Sequence, residues 1–165
     1  MLEYDVTASR TGPAAAVATC VRCPGATVAL DADTAGRTDA LNPAELLLAA
    51  VGACMLKGIE RVAPMLRFRL EGAAVHLHGV RQDAPPRMLR IAYELVVDTD
   101  EPDRRLDLLH ENLKKFGTIY NTVAAAVELT GQIRRGPVTD AIAAAVPGRA
   151  TDAPDPAFSG ADEYC

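Results

Sequence analysis

Between Leu46 and Leu56 the chain reads LLLAAVGACML, a run with no polar side chain other than the thiol of Cys54. Its entry is clearly marked. Asn42 is a good N-cap, Pro43 suits the first helical position, and Glu45 stands where a capping box needs an acid. The pattern predicts a helix from about Asn42 to Ala63, stopped by Pro64. A helix that is apolar all round must be buried all round. Only Lys57, Glu60 and Arg61 restore a wet face. A chain of 165 residues makes one domain with a thin layer to cover such a helix, so a second copy of the chain is expected to help. Gly52 and Ala53 let another backbone come close, at about 1 kcal/mol for a glycine inside a helix.

The flanking sequence is expected to supply strands and one more long helix. Val17, Thr19 and Val21 alternate, as do Ala26, Val28 and Leu30, with Pro24-Gly25 between them, the signature of a β-hairpin. Asp31 to Asp39 reads as a loop. Phe68, Leu70, Val75 and Leu77 suggest a long strand bent at Gly72, Gln82 to Pro86 a turn, and Leu89 to Val97 a half-buried strand. Asp100 is the expected cap of a second helix, with Leu106, Leu109, Leu113 and Phe116 as its apolar stripe and Gly117 as a left-handed stop. A short helix over Thr118 to Ala126 and a last strand over Val127 to Ile133 complete an α+β domain, residues 1–135. Residues 136–165 form a tail rich in Ala and Pro whose charges are acidic apart from Arg149; it is expected to be largely mobile, with a short helix near Asp140 to Val146.

Bulk properties narrow the function. A formal charge of −5 argues against nucleic acid, which needs a basic surface. No apolar run approaches the ~18 residues of a membrane span, and the N-terminus has no h-region, so a cytoplasmic protein is expected. There four cysteines are thiols by default.

Those thiols are the main candidates for chemistry. As a small buried hydrophobe Cys54 would do nothing. A reactive thiolate needs a nearby cation, and none is evident beside it in the sequence. Cys20 and Cys23 form a C-x-x-C at a strand end, and with His76 and His78 they are either ordinary strand residues or a Cys-Cys-His-His zinc set. Cys165 ends the tail. His110 reads as a partly exposed helix residue, and Asp98, Asp100, Glu101 and Asp103 as a capping cluster with no metal.

Asn-Pro-Ala-Glu-Leu-Leu-Leu-Ala-Ala-Val-Gly-Ala-Cys, residues 42–54, resembles the central-helix signature of the OsmC/Ohr family, the osmotically induced and organic hydroperoxide resistance proteins. The order of elements agrees over roughly residues 5–135. The resemblance implies antiparallel sheets wrapped around a long buried central helix in an intertwined homodimer. It also implies a helix cysteine that attacks a hydroperoxide and becomes a sulfenic acid. A second cysteine resolves that acid as a disulfide, an N-terminal arginine and a glutamate assist, and a dithiol resets the pair without any cofactor.

Carried over by residue, Cys54 matches the peroxide-reacting position. Gly117 occupies the second cysteine's place within Lys-Phe-Gly-Thr-Ile-Tyr-Asn-Thr (115–122). Ala44 follows Asn42-Pro43 where the glutamate belongs, and Glu45 is one residue late, a rotation of ~100°. Arg10 matches the arginine, with Arg37 as the fallback, and Tyr120 and Asn121 sit where the family's pocket closes. Cys20 and Cys23 are candidate resolving thiols. Two functions of different classes follow: a one-cysteine peroxidase using an external thiol reductant, or a non-catalytic homodimer holding a small apolar ligand beside Cys54. A structural zinc protein is the third.

Overall fold

The computed structural model describes residues 2–11, 15–20, 22, 23 and 25–139; the tail from residue 140, its expected short helix and Cys165 lie outside the described residues. Six strands and three helices follow one another: β1 (Val6–Thr11), β2 (Ala15–Cys20), β3 (Thr27–Leu30), α1 (Pro43–Leu66), β4 (Gly72–Gln82), β5 (Arg87–Asp98), α2 (Asp103–Phe116), α3 (Thr118–Ala124) and β6 (Glu128–Arg135). This is an α+β fold with two three-stranded sheets. The first, β1–β2–β3, is antiparallel and includes a strand, β1, that the sequence reading missed. In the second, β5 is central and antiparallel to β4.

Departing from the expectation of purely antiparallel sheets, β6 runs parallel to β5. The reason is topological. A parallel neighbour needs a crossover of a dozen or more residues, and α2 with α3 supplies it.

The capping box forms as the residue types demand. Asn42 Oδ1 accepts from the Glu45 N–H at 3.0 Å, and Glu45 Oε2 accepts from the Asn42 N–H at 2.8 Å. Pro64 does not stop α1, which continues through it to Leu66. Left-handed Arg67 (φ 50°) ends the helix instead. The Phe68 N–H returns to the Ala63 carbonyl at 2.8 Å and the Arg67 N–H to that of Pro64 at 3.1 Å, a Schellman closure that turns Phe68 into the core. Two further caps also differ from expectation. Pro102, not Asp100, precedes α2, without a side-chain cap. The acids there serve ion pairs: Glu101 with Arg105 and Asp103 with Arg135. Gly117 adopts φ −76°, not a left-handed angle.

Val51, Met55, Ile59 and Val62 of α1 meet Ile91, Tyr93, Leu95 and Val97 of β5 and Leu106, Leu109 and Leu113 of α2 in one core. The helix periodicity thus faces the strand's alternation. Within one chain, however, α1 is buried on one side only: Ala49, Ala50, Ala53 and Leu56 remain exposed. The first sheet packs chiefly on itself, with β1 exposed throughout. Among the described residues no helix is long and apolar enough to cross a membrane.

His110 is buried, contrary to its expected partial exposure. Its Nε2 shares a 2.6 Å hydrogen bond with the Tyr93 hydroxyl, and both His110 and Tyr120 meet the Tyr93 ring edge-on. Burial and, secondarily, the Lys114 charge hold the imidazole below its ordinary pKa. Folding therefore disfavours its protonated form. The stability it contributes is complete above the unfolded pKa of about 6.5 and is lost as pH falls through that value toward the folded one. Denaturant midpoints measured from pH 7.5 down to 5 should fall, and His110→Leu should flatten that part of the profile.

Gly131 lies opposite Tyr93 in the β5–β6 ladder, and a Cβ there would collide with the Tyr93 carbonyl oxygen and come within 2.6 Å of its ring. Gly131→Ala should cost about 2–4 kcal/mol, seen as a lower urea midpoint with an unchanged slope.

Candidate functional site

Cys54 lies on α1 where the buried side of the helix gives way to the exposed one, and its side chain is half-buried. Two glycines on this helix mark close approaches. A Cβ on Gly52 would sit 3.2 Å from Leu77 Cδ1 of β4, and one on Gly58 2.9 Å from Leu113 Cδ2 of α2. The sheet and α2 therefore both press on α1. Beyond Leu113, α2 ends and the chain turns at Gly117 into α3.

Between α1 and that turn lies a cleft of about 400 Å³, within the range of small-molecule sites. Cys54 lines it together with Leu113, Phe116, Gly117 and Ile119, and Tyr4 of the N-terminal segment also lines it.

Gly117 brings this turn beside the thiol. A Cβ built there would stand 3.6 Å from Cys54 Sγ, but also 2.9 Å from the Leu113 carbonyl oxygen and 2.8 Å from Tyr120 Cβ. The position equated with the second cysteine of the family is thus beside Cys54 in space. Its glycine is kept by crowding, and the left-handed freedom expected of it is not used.

The other predicted residues are placed differently. Arg10 is exposed near the end of β1, opposite Ala16. Arg37 is bound to Asp39 through Nε and Nη2, both at 2.8 Å; that bond holds the guanidinium above its ordinary pKa and the Asp39 carboxyl below the usual range. Neither arginine lines the cleft. Glu45 is committed to the capping box, as its one-residue offset foreshadowed.

Tyr120 is buried against Tyr93, and Asn121 donates through Nδ2 to the Lys115 carbonyl at 3.2 Å; neither is part of the cleft wall. Cys20 and Cys23 are half-buried free thiols joined across a turn by a 3.3 Å bond from the Cys23 N–H to the Cys20 carbonyl, and they too lie outside the wall. Exposed His76 and His78 share one face of β4. Among the described residues no three His, Cys, Asp or Glu side chains gather as a metal site.

Two cleft residues escaped the sequence reading, which found no cation near the thiol. Lys57 and Arg61 both line the wall. They follow Cys54 by three and seven positions, the spacing of one helix face. That spacing is visible in the sequence, where it reads as a solvated side.

The family model of OsmC-like proteins matches residues 36–131, more than half of the chain, and the chain belongs to this family. Solved structures agree in fold. An OsmC-like protein from Mycoplasma pneumoniae superposes with a TM-score of 0.74 at 16% identity, covering 82% of this chain and 99% of that one. The organic hydroperoxide resistance protein OsmC from Legionella pneumophila gives 0.62 at 15% identity, covering 81% and 97%. The organic hydroperoxide resistance protein OhrB of Bacillus subtilis gives 0.57 at 19% identity, covering 81% and 98%. At these identities the likeness carries the fold alone. No curated protein matches the chain in sequence.

The placement of Gly117 yields a direct check. Gly117→Cys should lower stability by about 1–3 kcal/mol through crowding. Mild oxidation should then join the introduced thiol to Cys54, and non-reducing peptide mapping would detect the bond.

Proposed function

We propose that this OsmC-like protein is a thiol peroxidase that reduces organic hydroperoxides through Cys54 alone. The observation carrying this reading is the opening of the Cys54 thiol into an apolar cleft beside the α2–α3 turn. In the reaction, the thiolate sulfur attacks the distal peroxide oxygen. The O–O bond breaks, the sulfur becomes a sulfenic acid, and the organic alkoxide takes a proton to leave as the alcohol. With glycine at 117, an external dithiol completes the cycle. Its first thiol displaces water from the sulfenic acid to give a mixed disulfide, and its second releases Cys54 and leaves the reductant oxidised. A reducing cytoplasm supplies such thiols.

A homodimer belongs to this reading. The exposed row Ala49, Ala53 and Leu56 on α1, with Val6, Val17 and Val28 exposed on the first sheet, is apolar surface that a second copy would cover. Within one chain Arg10 is outside the cleft wall, so its role as activator requires the partner copy to bring it. Light scattering should report twice the 17.4 kDa chain mass at micromolar concentration; the monomer mass would remove the dimer from the proposal.

The alternative is a non-catalytic homodimer that holds a small apolar ligand beside Cys54, and glycine at the second cysteine's position favours it. Intact mass separates the two readings. Reduced protein mixed with cumene hydroperoxide should gain one oxygen within seconds, and Cys54→Ser should not. Persistence of both the peroxide and the reduced thiol would leave the binding reading.

A further inference from the structure

A second pair of thiols, Cys20 and Cys23, lies apart from the Cys54 cleft. Both are free and half-buried, and neither contributes to the cleft wall. Cys20 ends β2, the central strand of the first sheet. Cys23 is held on either side by backbone bonds. Its N–H donates to the Cys20 carbonyl at 3.3 Å, and its own carbonyl accepts from the Ala26 N–H at 2.9 Å. The first of these bonds closes a four-residue turn, whose end Cα atoms lie within about 7 Å of each other. Disulfides span about 4.4–6.8 Å between Cα atoms. Arg22 and Gly25 are exposed, so a small molecule can reach the turn from solvent. The first sheet packs chiefly on itself, and the thiol that the turn offers Cys20 is Cys23, not Cys54.

We infer that Cys20 and Cys23 form a second redox site, a dithiol that closes into a disulfide across its turn by exchange with low-molecular-weight disulfides. One thiolate attacks a sulfur of the small disulfide, forms a mixed disulfide and expels the first small thiol. The other thiolate then attacks the cysteine sulfur of that adduct, closing the Cys20–Cys23 bond and expelling the second. The pair gives up two electrons and two thiol protons, the small disulfide becomes two thiols, and an excess of a dithiol runs the steps backward. The second attack is intramolecular. A short connection holds its thiol at an effective concentration of about millimolar or above, so the adduct is short-lived. In a reducing compartment the pair stays a dithiol, and a rise in small disulfides closes it. The site stands independently of any reaction between Cys54 and hydroperoxides.

Trypsin gives a direct readout, since it cuts after Arg22 and parts the two cysteines unless they are bonded. The reduced full chain is incubated with oxidised glutathione, blocked with iodoacetamide and digested without reductant. The Cys20 and Cys23 peptides should emerge joined, from material that runs as single chains on a non-reducing gel. Glutathione should remain on less than about a tenth of either cysteine, and dithiothreitol should restore both thiols. Cys23→Ser removes the second attack, so Cys20 should then hold glutathione at least about fivefold above the wild-type level. Circular dichroism should show that the variant is folded. Cys20 and Cys23 alkylated separately, each carrying glutathione, or bonded to Cys54, Cys165 or a second copy would overturn the inference. A folded Cys23→Ser variant with no more adduct than wild type would overturn it as well.

Discussion

Helix α1 has to be packed from two directions, by β4 on one side and by α2 with α3 on the other, all of which follow it in the chain. Val51, Met55, Ile59 and Val62 fill the core shared with β5 and α2, while Gly52 and Gly58 allow β4 and α2 to press in at about van der Waals distance. A larger residue at either glycine would move a neighbour, because cores at crystal-like density have little slack. Cys54 lies at the margin of this contact. Its thiol is fixed in place by a rigid helix yet open to a cleft, a combination that suits a reacting group better than a loop would.

The chain's own residues then decide what kind of site this is. Among the described residues the α2–α3 turn sets a glycine, not a thiol, beside Cys54, and Glu45 is spent on the helix cap. What remains around the sulfur is apolar surface and, along one helix face, Lys57 and Arg61.

Local signals were the legible part. The Asn42 capping box, the apolar face of α1, the alternation of β5 and the stripe of α2 all appear where the sequence placed them, since each depends on neighbours within a few residues. The misses share a cause. The parallel course of β6, the conformation of Gly117 and the burial of His110 beside Tyr93 depend on contacts between distant segments, and no local pattern encodes them. β1 was missed because VTASRT lacks a hydrophobic alternation. Among the site residues, Cys54 and the place of Gly117 came from motif order, whereas Arg10, Tyr120 and Asn121 were carried over by alignment and lie off the cleft wall. Lys57 and Arg61 are the reverse case, a helical spacing legible in the sequence that pattern alone assigns to a solvated face.

The parallel β5–β6 ladder also bears on the order in which the protein assembles. Each partner pair, such as Arg90 with Glu128, closes a loop that contains both α2 and α3. Such closures cost chain entropy before their contacts repay it, and they slow folding relative to hairpins like β4–β5. The Gly117 turn lies inside that loop. The α1 side of the cleft can therefore be helical early, and its opposite wall, already packed on α1, gains a second support when the last strand docks on α2 and α3. A nascent chain lacking β6 would display Cys54 in a cleft with one wall less firmly braced.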